Sequence, residues 1–135
     1  MKGYVLLMIL PLLIFLSCTG HDEKADALLT EGIHLIYAGD YSGAIVKLDQ
    51  CIENKPGMAE AYYHRSNARF NLKQISEAMK DLDKAIELNP AYADAFFNRG
   101  NIWFYLGENQ KACDDWKKSE ELGKPNVRDK TRWCP

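Results

Sequence analysis

Written as three rows of residues 25–58, 59–92 and 93–126 with no gaps, the chain repeats itself every 34 residues. A period of that length restricts the fold to a stack of like units, because one unit cannot bury its own apolar face and must lean on the next. Ala25, Ala59 and Ala93 share a column, as do Leu28, Tyr62 and Phe96. Gly32 aligns with Ser66 and Gly100, Gly39 with Lys73 and Gly107, and Ala44 with Ala78 and Ala112. Leu48, Leu82 and Trp116 follow, then Cys51, Ala85 and Ser119, then Pro56 and Pro90. Pro125 is displaced by one.

Within each row the apolar residues recur at the 3.6-residue spacing of amphipathic helices. The first helices are expected over Ala25–Tyr37, Ala59–Leu72 and Ala93–Leu106, and their partners over Tyr41–Glu53, Ile75–Leu88 and Asn109–Leu122. Gly39 and Gly107 suit the left-handed residue that ends a helix. Pro56 and Pro90 stop the second helices. Gly32, Ser66 and Gly100 should face Ala44, Ala78 and Ala112, since small residues let antiparallel helices approach. The rows also carry a charge test. Arg65 and Asp81 occupy the columns of Arg99 and Asp115, and the first row holds Glu31 and Lys47 there with both signs reversed. An ion pair inside each unit is therefore expected. Pairing between successive units is disfavoured, because Lys47 would then meet Arg65.

The order of large apolar residue, glycine, alanine, bulky residue, small residue and proline resembles the tetratricopeptide repeat (TPR), most closely over Ala59–Pro90 and Asn98-Arg99-Gly100-Asn101. The resemblance implies an all-α α-solenoid of three TPR helix-turn-helix hairpins (25–58, 59–92, 93–126). A short C-terminal tail, 124–135, would cap the repeat region 25–123. In that family the first helices line a groove. The corresponding columns hold Leu29, Tyr63 and Phe97; Ile33, Asn67 and Asn101; and Tyr37, Asn71 and Tyr105. Asp26, Glu60 and Asp94 stand at the helix starts. Rings and amides in this mixture suit an extended peptide or a partner helix, although some of the rings could equally pack between units, as Tyr62 and Phe96 should. TPR clamps for chaperone C-terminal carboxylates place Lys, Asn and Arg in these columns. Here Asn67 matches, but Leu29, Ile33 and Phe97 do not, so with an acidic rim a neutral or basic segment is expected.

The N-terminus reads separately. Lys2 precedes an apolar run, Tyr4 to Leu16, that is too short for a comfortable membrane span of roughly 20 residues. It ends in Leu16-Ser17-Cys18, which resembles the lipobox of bacterial lipoproteins, with Phe15 where the family more often has Leu. The resemblance implies a signal peptide over 1–17, cleavage before Cys18, lipid on the Cys18 sulfur and a tether over 18–24. Thr19 in place of Asp resembles outer-membrane sorting, on either face of that membrane. A plain secretory signal that happens to contain a cysteine is the alternative.

With Cys18 lipidated, Cys51, Cys113 and Cys134 remain. Cys51 shares the small buried column of Ala85 and Ser119 and is expected to be a packed free thiol. Cys113 and Cys134 are expected to form a disulfide outside the cytoplasm, folding the tail back so that Trp133 covers Trp116 and Leu122. Two unrelated thiols are the alternative.

The formal charge of −2, without a basic block, speaks against nucleic acid. His21, His34 and His64 show no metal-ligand spacing, and no nucleophile stands beside a base. No catalytic residue, cofactor, metal or small-molecule substrate is expected. The function expected is that of a protein-binding scaffold or accessory subunit of an outer-membrane envelope complex. A cell-wall or glycan-binding module, stacking groove aromatics on sugars, is the alternative.

Overall fold

A computed structural model describes residues 6–135. The side chains of residues 6–19 and of His21 lie outside the description, and with them the lipidation expected at Cys18 and the cleavage expected before it. Seven helices follow in order among the described residues, with no strand: α1 (Leu6–Tyr37), α2 (Tyr41–Asn54), α3 (Ala59–Asn71), α4 (Ile75–Leu88), α5 (Ala93–Tyr105), α6 (Asn109–Glu121) and α7 (Arg128–Thr131). The expected boundaries from Tyr37 to Leu122 agree to within one residue. At the start they do not: α1 begins well before Ala25, so the segment expected as a tether is helical. Nothing in Thr19–Lys24 breaks a helix, and extending one already nucleated adds a hydrogen bond for each residue fixed. Lys55 also reaches back to Asp22 at 3.1 Å.

The hairpins are α1–α2, α3–α4 and α5–α6, each packed most extensively within itself and next against its successor. Their turns share one mechanism. Gly39 and Gly107 take φ of 80° and 79°, and Lys73 takes the same left-handed conformation at φ 63°. In each turn the following residue donates its N–H five residues back: Asp40 to Leu35, Gln74 to Arg69 and Glu108 to Trp103, all at 2.9 Å. These bonds satisfy carbonyls that the helix end leaves open.

The close approach of helices is tightest at the small column. A methyl group added to Gly100 would lie 2.7 Å from Trp116 Cδ1 and 3.1 Å from the Ala112 carbonyl oxygen; one added to Gly32 would lie 2.8 Å from Leu48 Cγ. Leu48, Leu82, Ala44, Ala78 and Ala112 are fully buried beneath these positions. Tyr62 packs between units as expected, its hydroxyl donating to the Pro56 carbonyl of the preceding unit at 3.2 Å, and Phe96 is buried. Each lies under a guanidinium, with Arg65 5.3 Å above Tyr62 and Arg99 5.4 Å above Phe96.

All three intra-unit ion pairs form. Lys47 Nζ lies 3.1 Å from Glu31. Arg65 grips Asp81 through Nε and Nη2 at 3.0 and 2.6 Å, and Arg99 grips Asp115 through the same two nitrogens at 2.8 Å each. The expectation that units would not pair with one another needs correction. Arg65 also donates to Asp49 of the preceding unit at 2.6 Å, and Arg99 to Asp83 at 2.8 Å. The link lies in a neighbouring column: residues 49 and 83, two positions after Lys47 and Asp81, carry it. Each arginine therefore binds its own unit and the one before it. The Asp115 and Asp83 bonds raise the Arg99 pKa against the effect of burial; for Arg65, burial opposes and the bonds to Asp81 and Asp49 prevail.

The Cys113–Cys134 disulfide is present, with Cα atoms 5.5 Å apart, and Cys51 is a buried free thiol that donates to the Ala25 carbonyl at 3.2 Å. Burial pushes the Cys51 thiol pKa up. What covers the last hairpin differs from expectation. Trp133 is 83% exposed, whereas Val127 is 1% exposed and packs with Ala112 and Trp116. One frame on from Ala93, Val127 enters where a further unit would begin, and α7 supplies one helical turn behind it. The reach from Gly123 fits Val127 into the gap, and the disulfide then fixes Cys134 against α6, which turns Trp133 outward.

A candidate binding groove between the first helices

On α3, Asn67 and Asn71 stand one turn apart, and on α5 so do Asn98 and Asn101; positions separated by three or four share a helix face. The two stripes face each other across a hollow of about 200 Å³, whose apolar parts are Phe70, Leu82 and Ile102. Asn98 Nδ2 donates to Asn67 Oδ1 at 2.7 Å. Asn71 Nδ2 donates to the Asn67 carbonyl at 2.8 Å, and Asn101 Oδ1 accepts from Trp116 Nε1 at 3.2 Å. Among the described residues these bonds leave the Asn71 carbonyl oxygen and the Asn101 amide free to pair with an incoming backbone.

The nine expected groove residues divide. Asn67, Asn71 and Asn101 come together in the hollow, with Tyr105 at its edge, 60% exposed and edge-on to Phe70 at 5.8 Å. Leu29 does not belong: it is 8% exposed and packs with Ala25, Cys51 and Ala61, because its turn of α1 lies under the start of α3. Ile33 is half-buried against the same cluster. Tyr37 is 86% exposed at the hairpin tip. Tyr63 is half-buried between His64 and Tyr92, with each ring centroid 5.0 Å away. Phe97 is overlaid by the tail, packing on the Val127 cluster with Lys124 Nζ 5.0 Å from its ring. Asn98, Phe70 and Ile102 were missed. The i, i+3 spacing of Asn98 to Asn101 was the signal for the first; for the other two, apolar periodicity reads only as core.

The rim is not uniformly acidic. Lys124 pairs with Asp94. Lys130 lies 4.8 Å above Trp116, and Lys73 lies 5.8 and 5.9 Å from the Phe70 and Tyr105 rings. At the other end Asp26 is exposed, and Glu60 lies 3.7 Å from His64. Burial lowers the His64 pKa, with Glu60 opposing. A histidine depressed in the folded state stabilises the fold above its unfolded pKa and loses that contribution as acid forces protonation. Stability should therefore fall as pH drops below about 6.5. The His64→Gln chain should show a flatter melting-temperature profile between pH 7 and pH 5; equal slopes would contradict the assignment. No three or more His, Cys, Asp or Glu residues are grouped to hold a metal among the described residues.

The architecture is that of TPR helical hairpins. Residues 66–107 match the family described as TPR repeat, and solved TPR domains support the same family. The first TPR of Spaghetti (RPAP3), bound to the HSP90 peptide SRMEEVD, superposes with a TM-score of 0.77 at 26% identity, covering 82% of this chain and 90% of that one. MamA superposes at 0.70 and 30% identity over 74% of this chain and 58% of its own. The Sgt2 TPR domain of Aspergillus fumigatus gives 0.75 at 22%, covering 81% and 75%, a likeness of fold alone. No curated protein sequence matches the chain.

Proposed function

We propose that this chain is a non-enzymatic interaction lipoprotein, anchored by lipid on Cys18 at the outer membrane. Its groove holds an extended segment of a partner protein, as a scaffold or accessory subunit of an envelope complex. The observation that carries the binding reading is the hollow between α3 and α5, where four asparagines surround an apolar floor. Amides recognise a backbone without regard to sequence, and the floor selects a side chain. The peptide held by the Spaghetti TPR supports a peptide here. Leu29, Ile33 and Phe97 offer no cations for a carboxylate clamp, so a different segment is favoured. The anchor rests on Ser17-Cys18 and the apolar run before them, and the outer membrane on Thr19.

Crosslinked membranes carrying the full chain should yield a constant partner. The Asn67→Ala, Asn71→Ala chain should retain at least tenfold less of it at an unchanged melting temperature. Undiminished capture would refute the groove; sedimentation with peptidoglycan that survives the same substitutions would refute a glycan role for it. Mass spectra of an unmodified Cys18 would remove the anchor.

A further inference from the structure

The repeat frame relates two hollows. Phe70 and Leu82 help form the first. One frame on, Phe104 and Trp116 help form a second, of about 370 Å³, whose remaining walls are Asp129, Lys130 and Trp133 of the tail. The tail supplies what a further first helix would supply, and the inner surface continues over it. Trp133 occupies the column of Arg65 and Arg99, the arginines that link units. The column of Asp49 and Asp83 holds Lys117, which donates instead to the Pro135 carbonyl at 2.5 Å. The charge ladder stops here, and in its place stands an indole 83% exposed beside Phe104, itself 58% exposed.

Resting on the groove reading above, we infer that the partner segment is held at two seats one repeat apart, the second of them built by the disulfide-held tail. That second seat takes a large apolar or aromatic side chain with a carboxylate beside it. The aromatic walls specify the anchor. The carboxylate follows from charge: Lys130 stands over Trp116 with no carboxylate within ion-pair distance among the described residues. Arg128 is engaged by Glu120, so Lys130 and, just past the helix end, Arg132 outweigh Asp129. A helix with its side chains is about 10–12 Å across, and an extended chain advances about 3.3 Å per residue. The anchors should therefore lie about three to four residues apart.

The probe is a random dodecapeptide library displayed on phage and panned on the full chain. The oxidised chain should enrich peptides with two apolar anchors at that spacing and Asp or Glu beside one. Trp133→Ala, or reduction of Cys113–Cys134, should keep the first anchor and abolish selection of the second, while Lys130→Glu should exchange the acidic preference for a basic one. Trp133 is exposed, so its loss leaves the fold intact. An unchanged two-anchor consensus from Trp133→Ala and reduced chains would overturn the tail seat and leave the groove standing. Enrichment no greater than that on the Asn67→Ala, Asn71→Ala chain would overturn both.

Discussion

Replacing Asp81 with alanine is expected to lower the free energy of unfolding by about 3–5 kcal/mol, the usual effect of removing one member of a buried ion pair. The Asp81 side chain is only 4% exposed and faces two guanidiniums, Arg65 at 2.6 Å and Arg69 at 2.8 Å. Deleting the carboxylate leaves both cations with reduced hydration and one fewer anion. Asp49 binds the same Arg65, but its side chain is 45% exposed. Water replaces it readily, so Asp49→Ala should cost about 0–1 kcal/mol. Urea midpoints at constant slope give the comparison. If the two substitutions proved equal at about 0–1 kcal/mol, Asp81 would be one more surface charge and not a buried anion.

Reduction of the Cys113–Cys134 bridge is expected to destabilise the protein by about 3 kcal/mol, the chain-entropy value for a loop of this size, here spanning 21 residues. The effect should be larger locally than the loop entropy alone suggests, because Val127 is held over Trp116 by a tail with one turn of helix, and the bridge is its one covalent anchor beside a few polar contacts such as Thr131 to Glu120. Cys134→Ser should melt where reduced wild type melts, and dithiothreitol should not shift the variant further. Cys51, buried with a raised thiol pKa, serves as the internal control: it should resist alkylation in the folded protein of both forms. A tail that stayed protected from proteolysis after reduction would show that packing alone holds it.

Both expectations concern features partly legible in the sequence. The hairpins were legible because small columns and turn glycines recur in register; even Lys73 in the glycine column obeys the frame, at φ 63°. The disulfide was legible by elimination, on the expectation of an oxidising compartment. The inter-unit links were not, since opposed signs in one pair of columns say nothing of the pair beside it, and only the stacking offset shows that residue 65 reaches residue 49. The tail misled for a different reason. A tryptophan looks like the better cover for an apolar flank than a valine, but chain reach from Gly123 decides which one arrives. In the groove, amides at helical spacing were visible, while the burial of Leu29 and the overlay of Phe97 depend on neighbours outside their own repeat.

The most direct measurement places a photo-crosslinking residue at position 105, exposed at the edge of the hollow, and separately at position 80, exposed on α4. Irradiation of native membranes should join one discrete partner to the first chain and none to the second. Adducts from position 80 alone, or equally from both, would contradict a partner held on the inner face.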